Sequence, residues 1–237
     1  MKEINKLPAE YYLQLIRNNK PFSFSRFGDG EVLCMFPDKK IKKNTDGSYF
    51  DDDLIEPMKK IFHNQYDYYH CLLMCSFLVN KNEFTKFIDE TCPNMQFYWG
   101  EFWQGLSFAG KILEVIECLN MHKLCFIGSK HLENIKYIRG ISEFDFIEVP
   151  SVNAFKNFNE IVSSIKQKYK QGKRMFCFSA GYSTKIIIDT LFPVIGKDAF
   201  MIDFGSVFDP YCGKLSRSNM IRVGFEQFQK FTDFKLM

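Results

Sequence analysis

The sequence predicts an α/β fold, a Rossmann-like and mostly parallel sheet with helices on both faces. Four short apolar runs, residues 123–128, 144–149, 174–179 and 199–204, each end in a small or polar residue or a turn. Segments with helical spacing separate them, at 130–139, 155–170 and 182–191. Strands that alternate with helices imply right-handed crossovers and a parallel sheet. The runs are also nearly continuous in apolar residues, as strands covered on both faces must be.

The elements follow in chain order. A helix is expected near 8–19 and a strand at 22–26. Gly28 and Gly30 then make a tight turn from which Asp29 and Glu31 project, because glycine tolerates dihedrals that other residues avoid. Residues 37–51 read as a polar loop with Asp46-Gly47 as its turn. A helix over 52–62, a strand at 69–73 and helices at 81–91 and 105–119 complete the first half. In the helix over 155–170, Phe158, Ile161, Val162, Ile165 and Tyr169 recur at separations of three and four and form one apolar face.

No Pro/Gly/Ser-rich linker interrupts the 237 residues, so residues 1–237 read as one domain, with 27 Phe to build an aromatic core. A net charge of +3, without long charge blocks, argues against a nucleic-acid partner. The basic run Lys39-Lys40-Ile41-Lys42-Lys43 suits a solvated loop or a guide for a polyanion or membrane surface. The first ten residues lack the apolar stretch of a signal peptide. No run approaches the roughly 18 apolar residues of a spanning helix. The eight cysteines include no Cys-x-x-Cys pair. A reduced, cytoplasmic setting is therefore expected.

Ligands of open α/β sheets bind beyond the carboxyl ends of the strands. That rule selects residues 26–31, 128–131, 179–185 and 203–209 as walls of one cleft. In the first, Asp29 and Glu31 suit a divalent cation, Mn2+ or Mg2+, and Arg26 suits phosphate oxygens; a solvated Gly-rich turn is the plainer reading. In the third, Ser179, the backbone about Gly181 and Lys185 offer an anion site at a helix start, or an ordinary capped βα turn. Neither a P-loop nor a Gly-x-Gly-x-x-Gly is present. In the fourth, Asp203 and Asp209 suit a ribose hydroxyl, a metal or an acceptor hydroxyl, with Arg217 beyond them as a cation for a leaving phosphate. His131 reads as a base or as a helix-initiating residue. Trp99 and Trp103, with Tyr98 and Phe102, suit a sugar-stacking wall or core packing.

Arg26-Phe-Gly28-Asp-Gly-Glu31 resembles the hallmark of the GT-D-fold glycosyltransferases, a family first described as a bacterial domain of unknown function. The agreement continues in order through Phe126-Ile-Gly128, Val149-Pro-Ser-Val-Asn153-Ala154, Ser179-Ala-Gly181 with Lys185, Asp189-Thr-Leu191 and Asp203-Phe-Gly205, so it covers roughly residues 20–215. The resemblance implies a Rossmann-like sheet of the GT-D type, a nucleoside-diphosphate sugar donor (UDP-linked in the best-known branch) and a metal held by the Asp-x-Glu motif. The acceptor would be a hydroxyl of a glycan or of a lipid-linked or protein-linked glycoconjugate. Where that branch has a His after Asp-x-Gly, this chain has Ser206. It resembles instead a branch ending in Gly-Ser-x-x-Asp-Pro and followed by an Arg such as Arg217. The competing readings are another nucleotide-dependent transferase or phosphohydrolase, and a non-catalytic nucleotide-sugar-binding protein.

Overall fold

The computed structural model describes residues 2–37 and 52–235. The loop expected over 37–51, with its turn and its basic run, lies outside the described residues except for Pro37. The chain opens with β1 (Ile4–Asn5), α1 (Ala9–Arg17), β2 (Ser23–Phe27) and α2 (Asp29–Met35). It continues through α3 (Ile55–Asn64), β3 (Tyr69–Leu72), α4 (Lys81–Thr91), β4 (Phe97–Trp99), α5 (Phe102–Phe108) and α6 (Ile112–Leu119). The second half carries β5 (Leu124–Gly128), β6 (Phe144–Glu148), α7 (Phe158–Lys170), β7 (Met175–Ser179), α8 (Ser183–Ile195) and β8 (Phe200–Asp203). Two short helices, α9 (Ser218–Val223) and α10 (Glu226–Gln229), close it.

Among the described residues, eight strands form one sheet in the order β1-β4-β3-β2-β8-β7-β5-β6, and each adjacent pair is parallel. The expected α/β class and parallel sheet are thus observed. The strands divide their side chains by alternation. Leu124 and Phe126 of β5, Met175 and Cys177 of β7, and Phe200 and Ile202 of β8 pack with α1, α5 and α6 on one face. Cys125, Ile127, Phe176, Phe178 and Met201 pack with α7 and α8 on the other. Beyond β2 that second face continues under α2, α3 and α4, with Phe27, Val32, Met58, Leu72 and Phe84. Both faces are covered, which is why the strands read as unbroken apolar runs.

Several elements depart from the sequence expectation. The helix expected over 105–119 is two helices, because Gly110 adopts φ +74°. The Gly110 and Lys111 N–H groups donate to the Ser107 and Leu106 carbonyls at 3.1 and 2.9 Å, a Schellman end for α5. The helical spacing over 130–139 becomes a 3-10 helix over Lys130–Tyr137. The aromatic stretch 97–99 is a strand, β4, paired with β3. Phe102 stacks on Tyr12 at 4.5 Å and Trp103 is fully buried against Phe204, so both are core. The motif Asp29-Gly-Glu31 is the first turn of α2 rather than a free turn.

Candidate functional site: a cleft at the sheet's switch point

From β2 the chain runs outward through β3 and β4, while β8, β7, β5 and β6 extend the other way. The strand order reverses between β2 and β8, where open α/β sheets bind ligands. A cleft of about 760 Å³ lies there. Arg26, Gly28, Asp29 and Glu31 line it from the β2 end, and Ser129 and His131 line it from the β5 end. Ser179, Gly181 and Lys185 come from the β7 end, and Gly205, Ser206, Asp209 and Arg217 from beyond β8. The four segments selected by the strand-end rule therefore share one cavity. Trp99 and Asn153 also face it, whereas Trp103 does not.

At its floor four charges interlock. Lys185 Nζ stands 2.8 Å from Glu31 Oε1 and 3.0 Å from Asp203 Oδ2, and it donates to the Gly181 carbonyl at 3.2 Å. Asp203 also accepts the Arg26 backbone N–H at 3.2 Å and the Gly205 N–H at 2.9 Å. The Arg26 guanidinium lies 3.9 Å from its Oδ1. Burial works against the Lys185 ammonium, but Asp203 and Glu31 outweigh it and raise its pKa above the ordinary lysine value. Two cations and two anions leave this quartet without net charge. Lys185, expected to meet a phosphate, is held by two carboxylates at the cleft floor.

The glycines make this packing possible. Gly205 has φ +54°, and a Cβ there would collide with the Arg26 guanidinium. A Cβ on Gly30 would come within 2.7 Å of the Tyr182 ring. At the head of α2, Glu31 Oε2 accepts the Gly28 N–H at 2.8 Å, which fastens the helix start onto β2.

Glu31 thus spends one oxygen on the Gly28 amide and the other on Lys185. Asp29 is exposed in the cleft and accepts the Gly30 N–H at 3.0 Å. Beside it the Cys75 thiol is pushed up to about 11, chiefly by burial and also by the Asp29 charge. Among the described residues no group of three or more His, Cys, Asp and Glu stands together as a metal cluster. One cleft-facing carboxylate with a second behind it fits a cation that takes its remaining ligands from phosphate and water, as Mg2+ commonly does.

On the opposite wall stands a second cluster, whose members the sequence singled out separately but whose pairing it does not show. His131 Nε2 lies 3.0 Å from Asp209 Oδ1, and His131 Nδ1 lies 2.9 Å from Ser129 Oγ. The Ser216 hydroxyl donates to Asp209 Oδ2. His131 and Asp209 are separated by 78 positions, so no local spacing announces the pair. The one signal available was that both follow strands, β5 and β8, which end at the same edge of the sheet.

No protein-family model matches the sequence, and no curated protein matches it. Solved structures do. A domain of unknown function 1792 (DUF1792), in selenomethionine-substituted form, is 20% identical with TM-score 0.60, over 87% of this chain and 80% of that one. A structure of the same domain, described as having a distinct glycosyltransferase fold, is 18% identical with TM-score 0.63 over the same shares. A protein described as a new glycosyltransferase (DUF1792) from Streptococcus sanguinis is 14% identical with TM-score 0.65, over 98% of this chain and 95% of that one. At such identities the likeness establishes architecture, and the chain therefore has the distinct glycosyltransferase fold described for DUF1792 domains.

Proposed function

We propose that this chain is a glycosyltransferase that moves a sugar from a nucleoside-diphosphate donor, UDP-linked, to a hydroxyl of a glycan or of a lipid-linked or protein-linked acceptor. The observation that carries the reading is the convergence of four strand ends on one cleft, in a fold described for glycosyltransferases. The residues divide the work between two walls. On one, the helix α8 is 13 residues long and opens toward the cleft through Tyr182 and Ser183. Backbone N–H groups at a helix start favour a diphosphate. Because the Arg26, Lys185, Glu31, Asp203 quartet is neutral, further positive charge must meet the diphosphate. Lys214, Arg217 and Arg222 line the cleft for that purpose.

Asp29, backed by Glu31, is the residue that would hold Mn2+ or Mg2+. Such a cation, when bound, neutralises charge developing on the leaving diphosphate. On the opposite wall Asp209 and His131 face the acceptor side, while Asp203 anchors Arg26 and Lys185 from below. The described residues contain no helix long and apolar enough to cross a membrane. All eight cysteines are free thiols, which accords with a reducing compartment, and we assign the protein to the cytoplasm.

Calorimetry of UDP with and without Mn2+ tests the donor site. Binding of UDP to the native chain should require the metal, and Asp29→Ala should abolish that metal-dependent binding while the fold persists. At a hundred times its dissociation constant, bound ligand adds about 2.7 kcal/mol of stability, well within reach of a thermal-shift measurement. Metal-independent UDP binding would remove Asp29 from a metal role. Metal-dependent UDP binding without sugar transfer or hydrolysis would favour a binding protein. Release of inorganic phosphate rather than UDP would favour a phosphohydrolase.

A further inference from the structure

We infer that His131 is the proton acceptor for the incoming hydroxyl and that Asp209 is its positioning carboxylate. This rests on the transferase reading above and adds to it the identity of the base. The observation is the hydrogen-bonded chain Ser129–His131–Asp209–Ser216 on the cleft wall. Asp209 is the more deeply placed member, with its side chain 10% exposed against 22% for His131. Its carboxylate can only accept, so it takes the Nε2–H of a neutral imidazole. That selects the tautomer whose Nδ1 carries a lone pair, and the Ser129 hydroxyl is aimed at that lone pair at 2.9 Å. A base oriented by a third group in this way is the general logic of an activated nucleophile.

Two further facts favour the imidazole over the carboxylate. Asp209 is already engaged at both oxygens, by His131 and by Ser216. Imidazole is also the stronger base, with an ordinary value near 6.5 against about 3.9 for an aspartate, and a base poised near the working pH transfers protons best. Other titratable or charged groups packed about the pair are few. The Cys212 thiol is driven well up by burial and by the Asp209 charge, and so stays neutral. Lys214 and Arg217 share the cleft wall. On the helical turn of His131 itself, Lys130 and Glu133 pair with each other at 3.0 Å.

The step balances as follows. The acceptor oxygen forms its bond to the anomeric carbon while the bond from that carbon to the diphosphate oxygen breaks. The electron pair of the broken bond leaves with the nucleoside diphosphate. The acceptor's proton passes to Nδ1, either directly or through Ser129, whose hydroxyl gives one proton to Nδ1 as it takes the other. The imidazolium, held against Asp209, then returns its proton to water.

The test uses the full chain with UDP-glucose, UDP-galactose and UDP-N-acetylglucosamine as probes and UDP release as the readout. His131→Gln should lower kcat by about a hundredfold or more, the scale of losing a general base, with KM for the donor changed less than twofold. The native profile of log kcat against pH should show an acid limb from protonation of the base, and the variant should lose it. Asp209→Asn should lower kcat comparably. Nitrogen NMR of the histidine ring should show the Nε2–H tautomer of His131 in the native chain and its loss in Asp209→Asn, a readout independent of turnover. Native kcat and an unchanged acid limb in His131→Gln would overturn the assignment, as would an effect confined to KM. If the native chain releases UDP from none of the three donors, the transferase reading falls and this assignment with it.

Discussion

Lys185 shows how one buried cation organises its surroundings. Its ammonium satisfies Glu31 and Asp203 together, so its removal leaves two carboxylates buried with too little positive charge. Breaking such a pair costs about 3–5 kcal/mol, because the surviving charge cannot recover its hydration. Lys185→Met should therefore destabilise the fold by that amount in urea titrations. Asp29→Asn, exposed in the cleft two positions from Glu31, should stay within about 0.5 kcal/mol of native stability. Equal stability of the Lys185 variant and the native chain would mean that the quartet is not a structural unit. Gly205 carries a second residue-scale expectation. A Cβ there is strained at φ +54° and strikes the Arg26 guanidinium, so Gly205→Ala should lose about 1–3 kcal/mol and weaken nucleotide binding as Arg26 moves. A crystal structure of the variant with Arg26 in place would refute the second effect.

Between elements, α8 meets α3 and the start of β3 through a buried carboxylate. Asp189 accepts from Asn64 Nδ2 at 2.6 Å and from the Tyr68 hydroxyl at 3.3 Å. Burial dominates those bonds and raises the Asp189 carboxyl from 3.8 to about 6. In the unfolded chain the group ionises near its ordinary value. Between about pH 4 and pH 6 the folded state thus holds the proton that the unfolded state has lost. The stabilising contribution is complete below the unfolded value and is lost as pH rises through about 6. A shift of about two units corresponds to about 3 kcal/mol. Asp189→Asn removes this titration, so its stability should change less between pH 4.5 and 7 than that of the native chain, by at least ~1 kcal/mol. Parallel denaturant titrations at the two pH values decide the matter, and identical pH dependence would place the titrating group elsewhere. A buried Asp at this position narrows the pH range of the fold, and the three-residue contact that holds it ties α3 to α8.

Across the whole molecule, the parallel sheet was legible because short, nearly continuous apolar runs and their succession with helical segments are local properties of the chain. Both faces of β5, β7 and β8 are apolar in the sequence, and both are covered in the structure. The elements that escaped sequence reading were those decided by a neighbour. Phe97–Trp99 is a strand because β3 offers it a parallel edge. Asp29–Met35 is a helix because Glu31 turns back onto the Gly28 amide. The break at Gly110 was written in the sequence as a glycine, yet the apolar spacing on either side of it concealed the end of α5. The strand-end rule placed Arg26, His131, Lys185 and Asp209 at one edge of the sheet, and the cleft contains all four.

By itself, then, the sequence determined the class of fold, the parallel sense of the sheet and the four segments that wall the cleft, since each follows from a pattern within a few consecutive residues. The partnerships inside that cleft were decided only by tertiary structure. Glu31 and Lys185 are far apart in the chain, as are His131 and Asp209, and nothing in either local context distinguishes a paired charge from a free one. The sheet order brings the ends of β2, β8, β7 and β5 to one edge. Burial there removes the water that would otherwise satisfy each charge separately, and this is why the carboxylates of Glu31 and Asp203 close on Lys185 while Asp29 is left facing the cleft.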